Sequence, residues 1–166
     1  FHGSVVDVES TAGRVDQVRG VACSRFFELK PSVVIDATGE GDLAWLAGAD
    51  VMLGHPETGR TLHMTLTFTL QDTGAPLPLY LPEGLEAIRS EAELPGLHGG
   101  LRLPDGRVYC NMTKVMGHDP TNPFSPSEAE CEARRQVARI VHFLQRTRFP
   151  SYGLCSSGAR IGIREG

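Results

Sequence analysis

Apolar residues recur along the first third of the chain with the spacing of strands. Valines alternate partly with polar residues over 4–10 and 14–22, and two phenylalanines and a leucine follow over 24–29. These three segments predict a small antiparallel meander. The apolar run 33–35 predicts a buried strand, and the pattern of residues 41–47 predicts a short helix.

The clearest strand pattern lies in residues 63–71, where polar and apolar side chains alternate. One face carries Thr65, Thr67 and Thr69, and the other carries Met64, Leu66, Phe68 and Leu70. Residues 83–92 predict a short helix. Residues 101–103 and 108–112 flank a Pro104-Asp105-Gly106 turn and predict a hairpin.

The longest predicted element is a helix of about twenty residues that begins at Ser125. Ser125 is predicted as its N-cap, with Pro126 at the first helical position and Glu128 at the third. A buried face is marked by Val137, Ile140, Val141 and Leu144. We interpret Arg134, Arg135 and Arg139 as part of a solvated face; the alternative is a surface for an anionic partner.

These patterns predict an α+β fold. We expect an antiparallel or mixed sheet from residues 51–112, packed against the helix at 126–147. The meander and the strand–loop–helix unit of residues 33–48 are expected at one side of it.

Composition narrows the class of protein. The chain has 166 residues, 40% hydrophobic content and a net charge of -4, which argue for a globular domain and against a nucleic-acid binder. It has no apolar run long enough for a transmembrane helix, and we expect no membrane partner and a cytoplasmic location. The four cysteines lack C-x-x-C spacing, so they predict reduced, mostly buried thiols and no metal site.

The candidate chemistry starts in the glycine-rich loop after residues 33–35. Residues 39–44 match G-x-G-x-x-A, a form of the dinucleotide-binding fingerprint, and such a loop presents amides and a positive helix end to a phosphate. Asp36-Ala37-Thr38 intervenes between strand and glycines, however, and the apolar segment 51–54 is too short for the expected second strand. A tight strand–helix connection with no ligand is the alternative.

A wider pattern resembles a known family. Residues 34–42, with Ala47-Gly48-Ala49, resemble the second cofactor motif of FAD-dependent oxidoreductases with a glutathione-reductase-like FAD domain, in which an "ATG" strand end follows a small meander. Two further stretches resemble the same family: residues 111–114 together with 118–121, and residues 161–165. The order and spacing of these pieces fit nearly the whole chain.

The resemblance implies a set of cofactor-binding residues. Ala37, Thr38 and Gly39 would lie along the FAD, because small side chains permit close approach of the backbone. Gly41 belongs to the same loop, and Glu40 and Asp42 would cap the following helix or touch sugar hydroxyls. From the later stretch, the implied flavin-facing residues are Gly162, Arg164 and Glu165.

Two residues are candidates for catalysis. The resemblance implies that Arg164 stabilises an anionic reduced flavin or a substrate carboxylate, and the alternative is a structural ion pair with Glu165 or another acid. His63 is the best candidate for general acid–base catalysis by residue type, although a lone histidine is more often structural. A flavin performs the electron or hydride transfer itself, so few protein groups need to be reactive.

The resemblance also predicts an organisation. The family's first fingerprint, which holds the FAD pyrophosphate, is expected upstream of the meander and is absent. We therefore expect an internal fragment whose partners are the rest of the parent chain and a small-molecule substrate. Residues 1–50 would be part of the FAD-binding domain, 51–158 a substrate or cap domain, and 159–166 the return to the FAD domain. FAD would be bound by the parent, and the fragment alone would be inactive and bind FAD weakly or not at all.

Two other functions stay open. One is a small Rossmann-like module that binds NAD or another nucleotide through residues 39–44, and a parallel sheet would support it. The other is a non-catalytic domain that binds a partner.

Overall fold

The computed structural model describes residues 2–96 and 99–164 of the chain. The chain divides between Arg60 and Thr61 into two compact units, and each is described by itself below. The first unit contains a three-stranded sheet and a short helix. The second contains a four-stranded sheet and the long helix.

The first unit is built on the predicted antiparallel meander. Its strands are β1 (Gly3–Thr11), β2 (Arg14–Ala22) and β3 (Arg25–Leu29), in the order β1-β2-β3. Two-residue loops join them at Ala12-Gly13 and Cys23-Ser24, and all four loop residues have positive φ. Such turns match the right-handed twist of a hairpin and set the pairing next to each loop. Two irregularities in β1, between Glu9 and Ser10 and between Val5 and Asp7, then shift its register with β2.

A charged cluster reinforces this register. Arg19 on β2 is opposite Asp7 on β1 and Glu28 on β3, and its guanidinium contacts both carboxylates and that of Glu9. Opposite charges on facing residues stabilise a strand pair, but each exposed ion pair contributes only about 0–1 kcal/mol. The cluster therefore favours the observed register more than it adds stability.

Residues 33–35 do not form the predicted buried strand. The segment pairs with no strand among the described residues, and Val33 and Ile35 are 76% and 86% exposed. An apolar run becomes a strand only where a neighbouring strand takes its backbone hydrogen bonds. The predicted helix that follows is present as α1 (Asp42–Leu46), and the Ser10 hydroxyl donates to the carbonyl of Ala47 just beyond its end.

The second unit has the predicted antiparallel sheet with one more strand than expected. Its strands are β4 (Phe68–Asp72), β5 (Gly100–Arg102), β6 (Val108–Cys110) and β7 (Tyr152–Ser157), in the order β5-β6-β4-β7. All strand pairs described are antiparallel. The hairpin of β5 and β6 was predicted, whereas β7 was not.

The long helix α2 (Ser125–Thr147) packs its predicted face into the core. Val137, Ile140, Val141 and Leu144 are all buried, which confirms that face. The predicted N-cap is wrong: Phe124 holds the cap position, and Ser125 is the first helical residue. The Ser125 hydroxyl instead accepts from the amide of Asp119, so it stabilises the preceding turn.

The predicted helix at residues 83–92 is also wrong. Only a single 3₁₀ turn, Glu91–Glu93, forms there. Ile88 is fully buried, and the carboxylate of Glu93 accepts from the amide of Arg89. The segment therefore pairs its backbone by turn bonds and by side chains in place of a helical ladder, and Ile88 joins the core.

Residues 64–70 form the centre of the core. The apolar face predicted from alternation is buried at all four positions, Met64, Leu66, Phe68 and Leu70. The regular strand, however, begins only at Phe68, because residues 64 and 65 make isolated bridges to Val115 and Gly162. The alternation therefore predicted the buried face correctly, but it placed the start of the strand five residues too early.

Two side chains replace the missing ladder bonds beside this segment. The buried hydroxyl of Thr113 accepts from the amide of Leu66 at 2.7 Å and donates to its carbonyl at 3.0 Å. In the same way, the Gln136 side chain of α2 accepts from the amide of Lys114 at 2.8 Å and donates to its carbonyl at 2.9 Å. Residues 113 and 114 are thereby held on one side to Leu66 of the central segment and on the other side to Gln136 of α2.

We predict that Thr113→Val strongly destabilises the second unit. The substitution keeps the shape but leaves the amide and carbonyl of Leu66 buried without partners, at about 1–3 kcal/mol each, or about 2–6 kcal/mol in total. Chemical denaturation monitored by circular dichroism measures this loss. The control is Thr67→Val, since the Thr67 hydroxyl has no partner among the described residues and should change stability by about 0.5 kcal/mol or less. Equal losses for the two variants would contradict the role of Thr113.

Candidate functional site

The glycine-rich loop is organised by Asp36, a residue that the sequence analysis did not single out. One carboxylate oxygen accepts from the amide and the hydroxyl of Thr38, at 2.9 and 2.8 Å. The other accepts from the amide of Ala44 in the first turn of α1, at 2.8 Å. The Thr38 hydroxyl in turn accepts from the amide of Asp42 at 3.0 Å. An aspartate two residues before a threonine is a known local turn signal and could have indicated this role.

This arrangement corrects the expectation that α1 offers its positive end to a phosphate. The amides of Asp42 and Ala44 already donate to Thr38 and Asp36, so an internal carboxylate occupies the anion position at the helix start. These hydrogen bonds, with that from the Thr38 amide as the largest cause, hold the pKa of Asp36 below its ordinary value. Glu40 and Asp42, the expected caps, make no capping bond, and Gly41 is the N-cap residue.

The same bonds leave the loop backbone open. Ala37, Thr38, Gly39 and Glu40 are exposed, and a Cβ built on Gly39 or Gly41 meets no atom within 4 Å. Both glycines have positive φ, 96° and 77°, a backbone conformation that residues with a side chain rarely adopt. The amides of Gly39, Glu40 and Gly41 donate to no described residue. The loop therefore leaves three backbone amides and an open backbone edge available to a ligand.

The second unit holds the remaining predicted residues. His63 is half-buried and has no hydrogen-bond partner among the described residues, and Arg164 is exposed. Gly162 pairs with Thr65 in an antiparallel bridge, and a Cβ built on it would lie 3.2 Å from the Thr65 carbonyl. The close approach of Thr65 therefore explains a glycine at position 162 without any ligand. Glu165 lies outside the described residues.

The bridge between Thr65 and Gly162 relates the two catalytic candidates. His63 precedes Thr65 by two residues and Arg164 follows Gly162 by two residues. Because the two segments are antiparallel, both candidates lie at the same end of the bridge. Residues far apart in the sequence are therefore brought to one edge of the second unit.

A second polar string begins at the start of α2. The Ser125 hydroxyl lies 3.2 Å from His118 Nδ1, and His118 Nε2 lies 3.6 Å from a carboxylate oxygen of Glu132. The order Ser–His–Glu is that of a hydrolytic triad. The amides of Ser127 and Glu128 donate to the Phe124 carbonyl, however, so they are not free to stabilise an oxyanion. We therefore interpret this string as part of the network that holds α2 to the preceding turn.

The cysteines correct another expectation. Cys110 is buried, and burial raises its thiol pKa to about 11, whereas Cys23, Cys131 and Cys155 are exposed. The prediction of mostly buried thiols is wrong because three of them lie on turns or outer faces. The described residues contain no group of three or more His, Cys, Asp and Glu side chains that could hold a metal ion. Over the same residues, no helix is long and apolar enough to cross a membrane.

Comparison with known proteins identifies the family of the chain. A family model described as FAD dependent oxidoreductase matches residues 1–166. The chain therefore belongs to the FAD-dependent oxidoreductase family. No curated protein and no solved structure matches the chain. Family membership confirms the resemblance noted in the sequence, and it implies FAD and oxidoreductase chemistry for the parent protein.

We predict that Asp36→Asn loosens the first turn of α1. Asparagine has a single acceptor oxygen, so it cannot accept from both Thr38 and Ala44 as the two carboxylate oxygens do, and it also lacks the negative charge. Exchange of the Ala44 amide proton, measured by NMR, should therefore become several-fold faster. Asp42→Asn is the matched control, because the Asp42 carboxylate makes no hydrogen bond to a described residue.

The wild-type loop should also depend on pH. Since the pKa of Asp36 is lowered in the folded chain, its stabilising effect is fully present above the ordinary value of 3.8 and is lost as the pH falls through the lower folded value. The asparagine variant should lack this dependence. Unchanged protection of Ala44 in Asp36→Asn at pH 7 would contradict the role of Asp36.

Proposed function

We propose that this chain contributes a flavin-approach loop and a substrate-side module to an FAD-dependent oxidoreductase that acts on a small molecule. The flavin-approach loop is residues 37–41. The observation that carries the proposal is an exposed backbone with small side chains and three free amides, held in position by Asp36.

The chemistry of the loop supports a flavin ring system or its polyol chain rather than the pyrophosphate. Free amides at Gly39, Glu40 and Gly41 can donate to ring or hydroxyl oxygens. The acidic side chains of Glu40 and Asp42 and the internal carboxylate of Asp36 would repel a phosphate. When bound, FAD supplies electron or hydride transfer.

The second unit offers two groups that suit a small polar substrate. Arg164 is always charged and can hold a carboxylate or a flavin oxygen by two parallel hydrogen bonds. His63 carries an imidazole, a side chain that can serve as a general acid or base, and no described residue competes for its ring nitrogens. We propose Arg164 as the orienting group and His63 as the proton-transfer group.

The flavin-approach loop is tested by filling the space above its backbone. Ala37→Leu adds a large side chain at an exposed position and should weaken FAD binding to the holoenzyme at least tenfold, as measured by flavin release and rebinding. Ser4→Leu is the control, since Ser4 is exposed in the same unit but lies on β1, outside the loop. Wild-type FAD affinity in Ala37→Leu, with the fold intact, would exclude this loop from the cofactor site.

The role of Arg164 is tested separately by rapid kinetics. Arg164→Ala should slow reduction of the flavin by substrate by about 10²–10³-fold, the scale of losing one charge-stabilising donor. Arg146→Ala removes a charge from the end of α2 and should leave the rate unchanged. Stopped-flow absorbance at the flavin band measures both rates. A rate in Arg164→Ala equal to that of the wild type would reduce this residue to a structural role.

A further inference from the structure

A surface pocket of the second unit lies between the turn at residues 84–86 and one face of α2. Its volume is about 300 Å³. Its lining residues are Gly84, Leu85, Glu86, Glu132, Arg135, Gln136 and Arg139. None of them is among the residues discussed above for flavin or substrate.

Two arginines dominate the hydrogen-bonding capacity of this pocket. Arg135 and Arg139 are one helical turn apart on α2, so their side chains lie on the same face. The Arg139 Nε donates to the carbonyl of Glu86 at 2.7 Å, which leaves its two terminal nitrogens available. Arg135 has no hydrogen bond or ion pair to any described residue. The neighbouring Arg134, by contrast, is paired with Glu130 and lines no part of the pocket.

Most of the other polar groups of the pocket already have hydrogen-bond or ionic partners within the fold. Gln136 uses its oxygen and nitrogen on Lys114 and Glu132. One carboxylate oxygen of Glu132 accepts from Gln136, and the other faces His118. Only the Glu86 carboxylate has no partner among the described residues. The groups left to meet a ligand are therefore two guanidinium forks and one opposing carboxylate.

We propose that this pocket binds a small molecule through an oxyanion group, a carboxylate or a phosphate, held by Arg135 and Arg139. Two guanidinium groups one turn apart match the planar, bidentate geometry of such groups. The position of Arg139 is fixed in advance by its bond to the backbone of Glu86, so less side-chain freedom is lost on binding. The Glu86 carboxylate opposes a highly charged anion and limits the affinity.

Isothermal titration calorimetry of the whole protein at constant ionic strength tests the proposal. Inorganic phosphate is titrated in one arm and malonate in the other, so that the arm with the tighter binding identifies the preferred group. We expect saturable binding at one site, and we expect Arg135→Gln and Arg139→Gln each to weaken it at least tenfold. Glu86→Gln should tighten it, because the opposing charge is removed.

Arg146→Gln is the matched control. It removes the same charge from the same helix outside the pocket and should leave affinity unchanged. Arg ε-proton NMR gives an independent readout, in which the added anion should shift Arg135 and Arg139 and leave Arg146 in place. The proposal is overturned if neither anion binds, or if Arg146→Gln lowers affinity as much as Arg135→Gln does.

Discussion

The hydroxyl of Thr113 accepts from the amide of Leu66 and donates to its carbonyl, and the centre of the second unit depends on this pair of bonds. Leu66 is fully buried, at a point where no neighbouring strand supplies a regular ladder. An unpaired amide and carbonyl in that position would cost several kcal/mol, so the apolar face of residues 64–70 could not be buried without them. The motif that resembled a flavoprotein signature at residues 111–114 thus has a structural task.

The Gln136 side chain extends the same solution to α2. Its amide group pairs with both backbone groups of Lys114, so residues 113 and 114 are joined to opposite sides, one to the central segment and one to the helix. Side chains here take the place of backbone partners. Because such pairings join residues that are distant in sequence, no local pattern announces them.

This distinction explains how much of the fold could be predicted from sequence. Alternation at Met64–Leu70 and the 3.6-residue period of α2 report burial directly, so both buried faces were predicted. Whether a segment forms a strand also depends on a neighbouring strand that pairs with it, which local sequence does not report. The apolar residues 33–35 have no such partner among the described residues and stay exposed, whereas the less apolar Tyr152–Ser157 pairs with β4 and forms β7. Ser125 had the residue type of a cap but was drawn to Asp119 by the turn before it.

The candidate site followed the same division. The loop and its glycines were evident from the sequence, but the sequence did not show which backbone amides of the loop are free to bind a ligand. Whether a helix start is free to bind a phosphate depends on which groups already accept from its amides, and Asp36 reaches it from eight residues before Ala44. The internal carboxylate occupies the helix start and leaves the loop with three backbone amides that donate to no described residue. The chain belongs to the FAD-dependent oxidoreductase family, and in our proposal this exposed backbone edge lies along the flavin, with no phosphate held at the start of α1.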